Sequence, residues 1–328
     1  MSRVLITGGA GMLGAAIARR LLADPAYDVR IADERDAPQW MREACEIRSA
    51  DLRTPAESRT AVKGCSHVIH LASYRAEDAA GPVRAHTQME YETTLHDTVI
   101  RAALDCEVER FVYISSPQVF ERAELFPTPE GHLAQCPVAL SPEGFSRLMG
   151  ERCCRAAHDE HGFPFTICRP FAMYGAGPAD AASEPGAASA VLELIDGALA
   201  GSRPLPVAAS GEQTMSPTHV DDIAGAIVVA LDSLAALNED FNLSSSGEQT
   251  IAEIAQVVWR ACGGDAGKLE LELRAGGARG PQRSWPATDK ARELLGWQPQ
   301  IDLEDGVAAT TRSLRERATD DMHIGSAL

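Results

Sequence analysis

The first half of the chain alternates between short apolar runs and longer amphipathic segments. Residues 4–7 are apolar or β-branched and lead into glycines, after which Leu13, Ile17 and Leu21 recur at helical spacing. Further short runs predict strands at residues 29–32, up to 51–52, 68–72 and 111–114, and the clearest helix covers residues 91–104. Strands alternating with helices are typical of a parallel sheet covered on both faces. The pattern predicts an α/β fold with a Rossmann-type, doubly wound parallel sheet.

A glycine-rich turn lies between the first strand and the first helix. Gly8, Gly11 and Gly14 allow the backbone to approach a pyrophosphate, which then lies at the helix N-terminus, next to Met12 and Leu13. Asp33 follows at the end of the second strand, where a carboxylate accepts hydrogen bonds from ribose hydroxyls and repels a 2′-phosphate. This favours NAD over NADP, and the nearby Arg35 leaves that choice open.

Composition excludes several classes of partner. The formal net charge of −17 argues against nucleic acid and anionic membranes, and no apolar run approaches the ~18 residues of a membrane span. The eight cysteines contain no C-x-x-C pair, which indicates unpaired thiols in a reducing cytoplasm. The first residues lead straight into a strand, so we expect no signal peptide. His158 and His161 lack a third ligand nearby, and we expect no metal.

Seven motifs occur in an order that resembles the extended short-chain dehydrogenase/reductase family, in its NAD-dependent sugar-nucleotide epimerase/dehydratase branch. They are the glycine turn, Ala50-Asp51-Leu52, residues 68–72, residues 110–116, Arg169-Pro170-Phe171 with Tyr174-Gly175, residues 219–222 and residues 295–299. The resemblance implies cofactor contacts from Gly8, Gly11, Met12, Leu13, Gly14, Asp33, Asp51, Leu52, Leu71, Ala72, Ser73, Arg147 and Pro170. Among these, Asp51 and Leu52 are expected to hold the adenine, and Pro170 to border the nicotinamide.

The resemblance also implies a division of the chain. We expect an NAD-binding Rossmann domain at residues 1–172 plus about 216–245. A smaller C-terminal substrate-binding cap is expected at about 173–215 plus 246–317, followed by a flexible tail at 318–328.

The catalytic pattern of the family is broken in this chain. Redox members use a Ser or Thr, a Tyr and a Lys, the last two spaced Tyr-x-x-x-Lys. Ser116 fits the serine position, whereas the register of the helix puts Glu143 at the tyrosine position and Arg147 at the lysine position. We expect these two residues to form an i, i+4 ion pair that keeps Glu143 ionised. The pair is either structural, or Glu143 acts as a carboxylate base on a C–H or O–H more acidic than an alcohol.

Other positions depart from the family pattern in the same direction. Glu92 and Ala172 each stand where members carry an asparagine, and Met215 stands where an arginine grips the substrate diphosphate. Arg279 and Arg283 are the remaining candidates for anion contacts with a substrate in the cap.

Three functions follow from these residues. The leading hypothesis is an NAD-binding enzyme of the epimerase, dehydratase or isomerase type, acting on a sugar or a nucleotide-linked sugar with a non-standard site of Ser116, Glu143 and Arg147. The alternatives are a redox-silent NAD-binding sensor or scaffold, and an NAD(P)H-linked reductase with an unorthodox proton donor.

We also expect a C2 homodimer. Its interface is expected to pair an apolar stripe on one helix with apolar residues on a second. These residues are Tyr91, Leu95, Thr98, Val99 and Ala102 on the first helix, and Phe145, Leu148 and Met149 on the second.

Overall fold

A computed structural model describes residues 1–74, 84–178, 189–207, 213–273 and 282–325. Numbered along the chain, the strands are β1 (Ser2–Thr7), β2 (Tyr27–Asp33), β3 (Glu46–Ser49), β4 (His67–His70), β5 (Arg110–Ile114), β6 (Phe165–Pro170), β7 (Met173–Tyr174), β8 (Leu205–Val207), β9 (Thr214–Met215), β10 (Thr218–His219), β11 (Asp240–Leu243), β12 (Gln249–Thr250), β13 (Leu271–Leu273) and β14 (Arg283–Ser284). The helices are α1 (Met12–Leu22), α2 (Gln39–Ala44), α3 (Pro55–Val62), α4 (Ala85–Asp105), α5 (Pro142–His161), α6 (Ser189–Leu199), α7 (Val220–Asp232), α8 (Ile251–Ala261), α9 (Asp289–Leu295) and α10 (Leu303–Gly325).

Seven strands form one parallel sheet in the order β11-β6-β5-β4-β1-β2-β3. Their side chains alternate between two cores. Val4 and Ile6 pack on the face that α1 and α7 cover, and Leu5 packs on the face that α3, α4 and α5 cover. The order of the strands reverses between β1 and β4, the place where doubly wound sheets bind ligands. The predicted fold class is confirmed.

Three small sheets lie outside the large one. They pair β7 with β10, β8 with β13, and β9 with both β12 and β14, next to a third apolar core that includes Tyr174, Ile195 and Ile254. The boundary between a Rossmann domain and a cap stays a prediction. The last helix continues beyond residue 317 to Gly325, past the point where the flexible tail is expected to begin. Within the described ranges, no helix is long and apolar enough to cross a membrane.

The predicted bounds differ most from the structure at the third strand and at helix α4. β3 ends at Ser49, and Asp51 instead opens a turn in which its carboxylate accepts the Arg53 N–H at 3.0 Å. Helix α4 begins at Ala85, six residues before the predicted start at residue 91.

The apolar stripe assigned to the dimer interface faces inward. Leu95, Val99 and Ala102 are buried in the core between α4 and the sheet, and Thr98 is buried as well. That part of the interface prediction is wrong, because the most apolar face of α4 covers the chain's own sheet.

A buried ion network joins α5 to the sheet. Arg169 on β6 has no solvent exposure and donates to both carboxylate oxygens of Glu151 on α5, each at 2.7 Å. It also donates to Asp240 on β11 at 2.8 Å, and Lys290 on α9 donates to the same carboxylate at 2.8 Å. Burial alone would raise the pKa of Asp240, but the charges of Arg169 and Lys290 hold it below its ordinary value.

Replacing Arg169 tests how strongly this network supports the fold. The Arg169→Met variant leaves the buried Glu151 carboxylate without its bidentate partner, so we expect a loss of about 3–5 kcal/mol in the free energy of unfolding. Urea denaturation followed by circular dichroism measures the change. Arg59→Met is the matched control, since its pair with Asp105 at 3.0 Å is largely exposed, and the expected loss is below about 1 kcal/mol. Equal losses in both variants would contradict a supporting role for the network.

Candidate active site

The predicted site residues gather at the carboxyl edge of the large sheet. Gly8 follows β1, Asp33 ends β2, Leu71 follows β4, Ser116 lies two residues after β5, and Pro170 ends β6. Because the strands are parallel, these ends meet on one side of the sheet.

The glycine turn fits the pyrophosphate of a dinucleotide. Gly8 has a φ of +67°, a conformation that favours glycine, and the first intrahelical bond of α1 runs from Ala15 N–H to the Gly11 carbonyl oxygen at 2.9 Å. The N–H groups of Met12, Leu13 and Gly14 therefore precede the helical ladder. Gly11 caps the helix, and no side chain in the described part of the protein bonds to this end, so it can accept an anion.

A pocket opens beside this turn, between the ends of β1, β2 and β4 and helix α4. It is lined by six of the predicted cofactor residues, namely Gly8, Asp33, Leu52, Leu71, Ala72 and Ser73. Arg35, which the sequence indicated beside Asp33 as bearing on the choice of cofactor, also lines it. The lining residues that sequence reasoning missed are Ala32, Glu34, Ala50, Tyr74, Tyr91 and Leu95. Asp51 does not line it, and its carboxylate is paired with Arg53 at 2.7 Å.

The helical register could have indicated part of the missed set. Tyr91 and Leu95 are separated by one helical turn on α4, so they share the face that turns toward the ends of β2 and β4. The apolar spacing on α4 predicts contacts between subunits equally well, so periodicity alone did not indicate that this face lines the pocket.

Both oxygens of the Asp33 carboxylate accept two hydrogen bonds each from groups of the chain itself. Its Oδ2 accepts the Ala10 N–H at 2.9 Å and Nη2 of Arg35 at 3.0 Å. Its Oδ1 accepts the backbone N–H and Nε of Arg35, both at 3.0 Å.

Ser116 and Glu143 meet directly. Ser141 caps α5 by accepting the Gly144 N–H at 3.1 Å, which places Glu143 in the first turn of the helix. The Ser116 hydroxyl donates to Oε1 of Glu143 at 2.7 Å. Burial raises the pKa of Glu143, and the Ser116 hydrogen bond and the charge of Arg147 oppose that rise only in part.

The expected ion pair between Glu143 and Arg147 is wrong. Arg147 is buried and its Nη1 donates to the Ile114 carbonyl oxygen at 2.8 Å, whereas Glu143 bonds to Ser116. The pKa of Glu143 accordingly moves up, although an ion pair would have moved it down. The physical reason is that acceptors on β5 are within reach of the longer side chain.

Glu92 supports α5 from the neighbouring helix. Its buried carboxylate bonds to the hydroxyl of Ser146, which lies between Glu143 and Arg147 in sequence. Glu92 thus contacts the helix that carries Glu143 and Arg147.

His70 has a structural role. Its Nδ1 bonds to the Thr7 hydroxyl at 2.7 Å and its Nε2 to Nδ1 of His96 at 3.0 Å. Burial and the charge of Arg147 lower the pKa of His70 to about 3, so the ring is neutral.

Four further residues singled out in the sequence are Ala172, Met215, Arg279 and Arg283. Ala172 is buried with a φ of +38°, a left-handed conformation in which asparagine is more common than alanine. Met215 is buried in the third core. Arg283 makes a bidentate pair with Glu248 at 2.6 and 2.7 Å and lies over the rings of Phe126 and Trp285, so its charge is already balanced. Arg279 lies outside the described residues.

Comparison with known proteins gives a consistent result. Residues 4–244 match the model of the NAD dependent epimerase/dehydratase family. The chain is 27% identical to UDP-glucuronic acid decarboxylase 1 of Xenopus tropicalis, over 96% of this chain and 72% of that protein. It is 25% identical to a putative UDP-glucose 4-epimerase of Methanocaldococcus jannaschii, over 93% of this chain and 95% of that protein.

Solved structures share the fold. The UDP-glucose 4-epimerase of Thermotoga maritima superposes with a TM-score of 0.82 at 22% identity, covering 96% of this chain and 99% of the other. The dTDP-glucose 4,6-dehydratase of Streptomyces venezuelae superposes with a TM-score of 0.80 at 23% identity, covering 96% and 97%.

Adding a methyl group at Gly8 tests the glycine turn. A Cβ there would lie 2.8 Å from both Cα and N of Ala72, which are backbone atoms that cannot yield, so we expect Gly8→Ala to lower NADH affinity at least about tenfold. Calorimetric titration measures the affinity. Gly64→Ala is the control, because Gly64 also has a positive φ of +79° but a Cβ there meets no described atom within 4 Å. It should cost about 1–2 kcal/mol of stability and leave NADH affinity unchanged. Unchanged affinity in Gly8→Ala would exclude a cofactor role for this turn.

Proposed function

The chain belongs to the NAD dependent epimerase/dehydratase family and is an NAD-dependent enzyme of that type, and from this premise we propose that Glu143 moves the protons of its reaction. The observation that carries the proposal is the 2.7 Å hydrogen bond between Ser116 and Glu143 at the carboxyl edge of the sheet. Family membership also favours an enzyme over the alternative of a redox-silent sensor.

The chemistry assigned to the two side chains is acid–base catalysis. Bound NAD supplies a reversible hydride acceptor. Glu143 takes up the proton of a substrate hydroxyl or of an acidified C–H and later returns it. When substrate binds, the Ser116 hydroxyl turns from Glu143 and donates its hydrogen bond to the substrate oxygen. The raised pKa of Glu143 suits this role, because a carboxylate closer to neutrality both accepts and returns a proton.

Arg147 and Pro170 are proposed to border the nicotinamide and its ribose. Arg147 stays charged and cannot relay a proton, so its part is to hold and orient through hydrogen bonds. Its burial and its hydrogen bond to the carbonyl oxygen of Ile114, two residues before Ser116, support a positioning role.

We propose a sugar or a nucleotide-linked sugar as the substrate. The names of the relatives in Xenopus tropicalis and Methanocaldococcus jannaschii refer to UDP-linked sugars. Met215 is buried and Arg283 is paired with Glu248, so neither supports a contact with a substrate diphosphate. The proposal therefore includes both a free sugar and a nucleotide-linked sugar.

The Glu143→Gln variant tests the assignment. The amide keeps the shape of the side chain but cannot accept a proton, so we expect turnover of candidate nucleotide sugars, followed by NMR, to fall at least about a hundredfold. NADH affinity should stay within about twofold. Glu160→Gln, the same change at an exposed position of α5, should keep full activity. A fully active Glu143→Gln variant would end the proposal.

The pH dependence of the rate gives a second readout of the same assignment. Glu143 acts as a base only when ionised, and its pKa is raised in the free protein, so kcat/KM should fall with decreasing pH at a higher pH than an ordinary carboxyl of about 4.3 would give. Ser116→Ala removes a hydrogen bond that lowers this pKa, so its acid limb should move further up.

We also propose a cytoplasmic homodimer. The location is supported by the eight free thiols. Because the apolar stripe of α4 faces inward, the proposed dimer forms through the apolar residues of α5. Among these, Phe145 is 41% exposed.

Light scattering tests the dimer. We expect twice the mass of 35.0 kDa at micromolar concentration, and a monomer for Phe145→Glu, which adds a charge to an apolar contact. Leu234→Glu is the control, a 75% exposed position on another surface, and should leave the mass unchanged. A monomeric wild-type protein would refute the dimer.

A further inference from the structure

The acceptor positions of Asp33 bear directly on which dinucleotide the protein selects. A carboxylate has about four lone-pair positions, and Asp33 uses them for Ala10 N–H, Arg35 N–H, and Nε and Nη2 of Arg35. Two of the four donors are backbone groups that stay in place as long as the turn is folded. The other two belong to one side chain, that of Arg35.

The guanidinium fork has the same donor pattern as a ribose diol. It places one N–H on each oxygen of Asp33, and the two adjacent hydroxyls of an adenosine ribose also offer two donors to such a carboxylate. The Arg35 side chain is 26% exposed and lines the pocket, so it can leave Asp33 without unfolding the turn.

We propose that Arg35 competes with the ribose of NAD for Asp33 and thereby sets the selectivity between NAD and NADP. Binding of NAD requires that the fork be displaced, which lowers the affinity for NAD. The Arg35 backbone N–H remains bonded to Asp33, so the displaced guanidinium stays beside the ribose. There it offsets the charge of Asp33 and favours a 2′-phosphate.

The chain contains a natural control for this arrangement. Arg53 makes the same bidentate contact with the aspartate two residues before it, with Nε at 2.8 Å and Nη2 at 2.7 Å from Asp51. Neither residue lines the pocket, and Arg53 reaches it through the ring of Tyr91, whose centroid is 4.3 Å from Cζ of Arg53, so an effect of its removal should be common to both dinucleotides. Removing Arg53 therefore removes the same charge from the same local motif without uncovering Asp33.

Calorimetric titration of the full chain with NADH and NADPH tests the proposal, and it does not depend on the role of Glu143. For Arg35→Met we expect NADH to bind about threefold to tenfold more tightly and NADPH at least about fivefold more weakly. For Arg53→Met the ratio of the two affinities should stay within about twofold of the wild type.

Arg35→Lys separates the fork from the charge. Lysine keeps the charge but cannot make a bidentate contact, so NADH should bind more tightly than in the wild type while NADPH affinity is retained. Weaker NADH binding in both variants would show that Arg35 supports the ribose rather than competing with it. An unchanged ratio in Arg35→Met would also overturn the proposal.

Discussion

The arrangement of the site depends on the neutralisation of Arg169. This side chain carries a full charge with no solvent exposure, and the carboxylates that balance it come from α5 and from β11. An uncompensated charge at such a depth costs several kcal/mol, so α5 cannot slide along the sheet without that cost. Ser115 donates to Glu151 in the same network at 2.6 Å. The residue after it, Ser116, is thereby held opposite the first turn of α5, where Glu143 lies.

Glu143 and Arg147 show how hydrogen-bonding groups of the sheet compete with a helix neighbour for a long side chain. An i, i+4 spacing puts Glu143 and Arg147 on one face of α5, but their functional groups extend to different depths. Arg147 reaches a carbonyl at the end of β5 and Glu143 reaches the hydroxyl of Ser116. Each of these contacts is with the sheet or the turn that follows it. Burial is the main cause that raises the pKa of Glu143, and the hydrogen bond from Ser116 opposes it.

Several acidic residues that the sequence singles out have their charge neutralised by an arginine of the same chain. Asp33 with Arg35, Asp51 with Arg53, and Glu248 with Arg283 are all bidentate pairs. A ligand that uses one member must compete with the other, so a residue's match to a family motif does not by itself make its charge available. Pairing does not decide which residues line the pocket, since Asp33 is paired and lines it whereas Asp51 is paired and does not.

By itself the sequence determined the Rossmann-type sheet and the glycine turn, because these depend on the local periodicity of side chains and on residue identity. From the register of one helix it predicted Glu143 and Arg147 at the positions of the family's tyrosine and lysine. It also placed Ser116 and Glu143 in one site through motif order. The tertiary structure decided which partners these groups have. The contact of Arg147 with Ile114, the inward face of α4 and the pocket positions of Tyr91 and Leu95 all depend on the packing of α4 and α5 against the sheet. Such contacts join residues that are far apart in the chain. The number of residues between them does not indicate how close they lie in the folded protein.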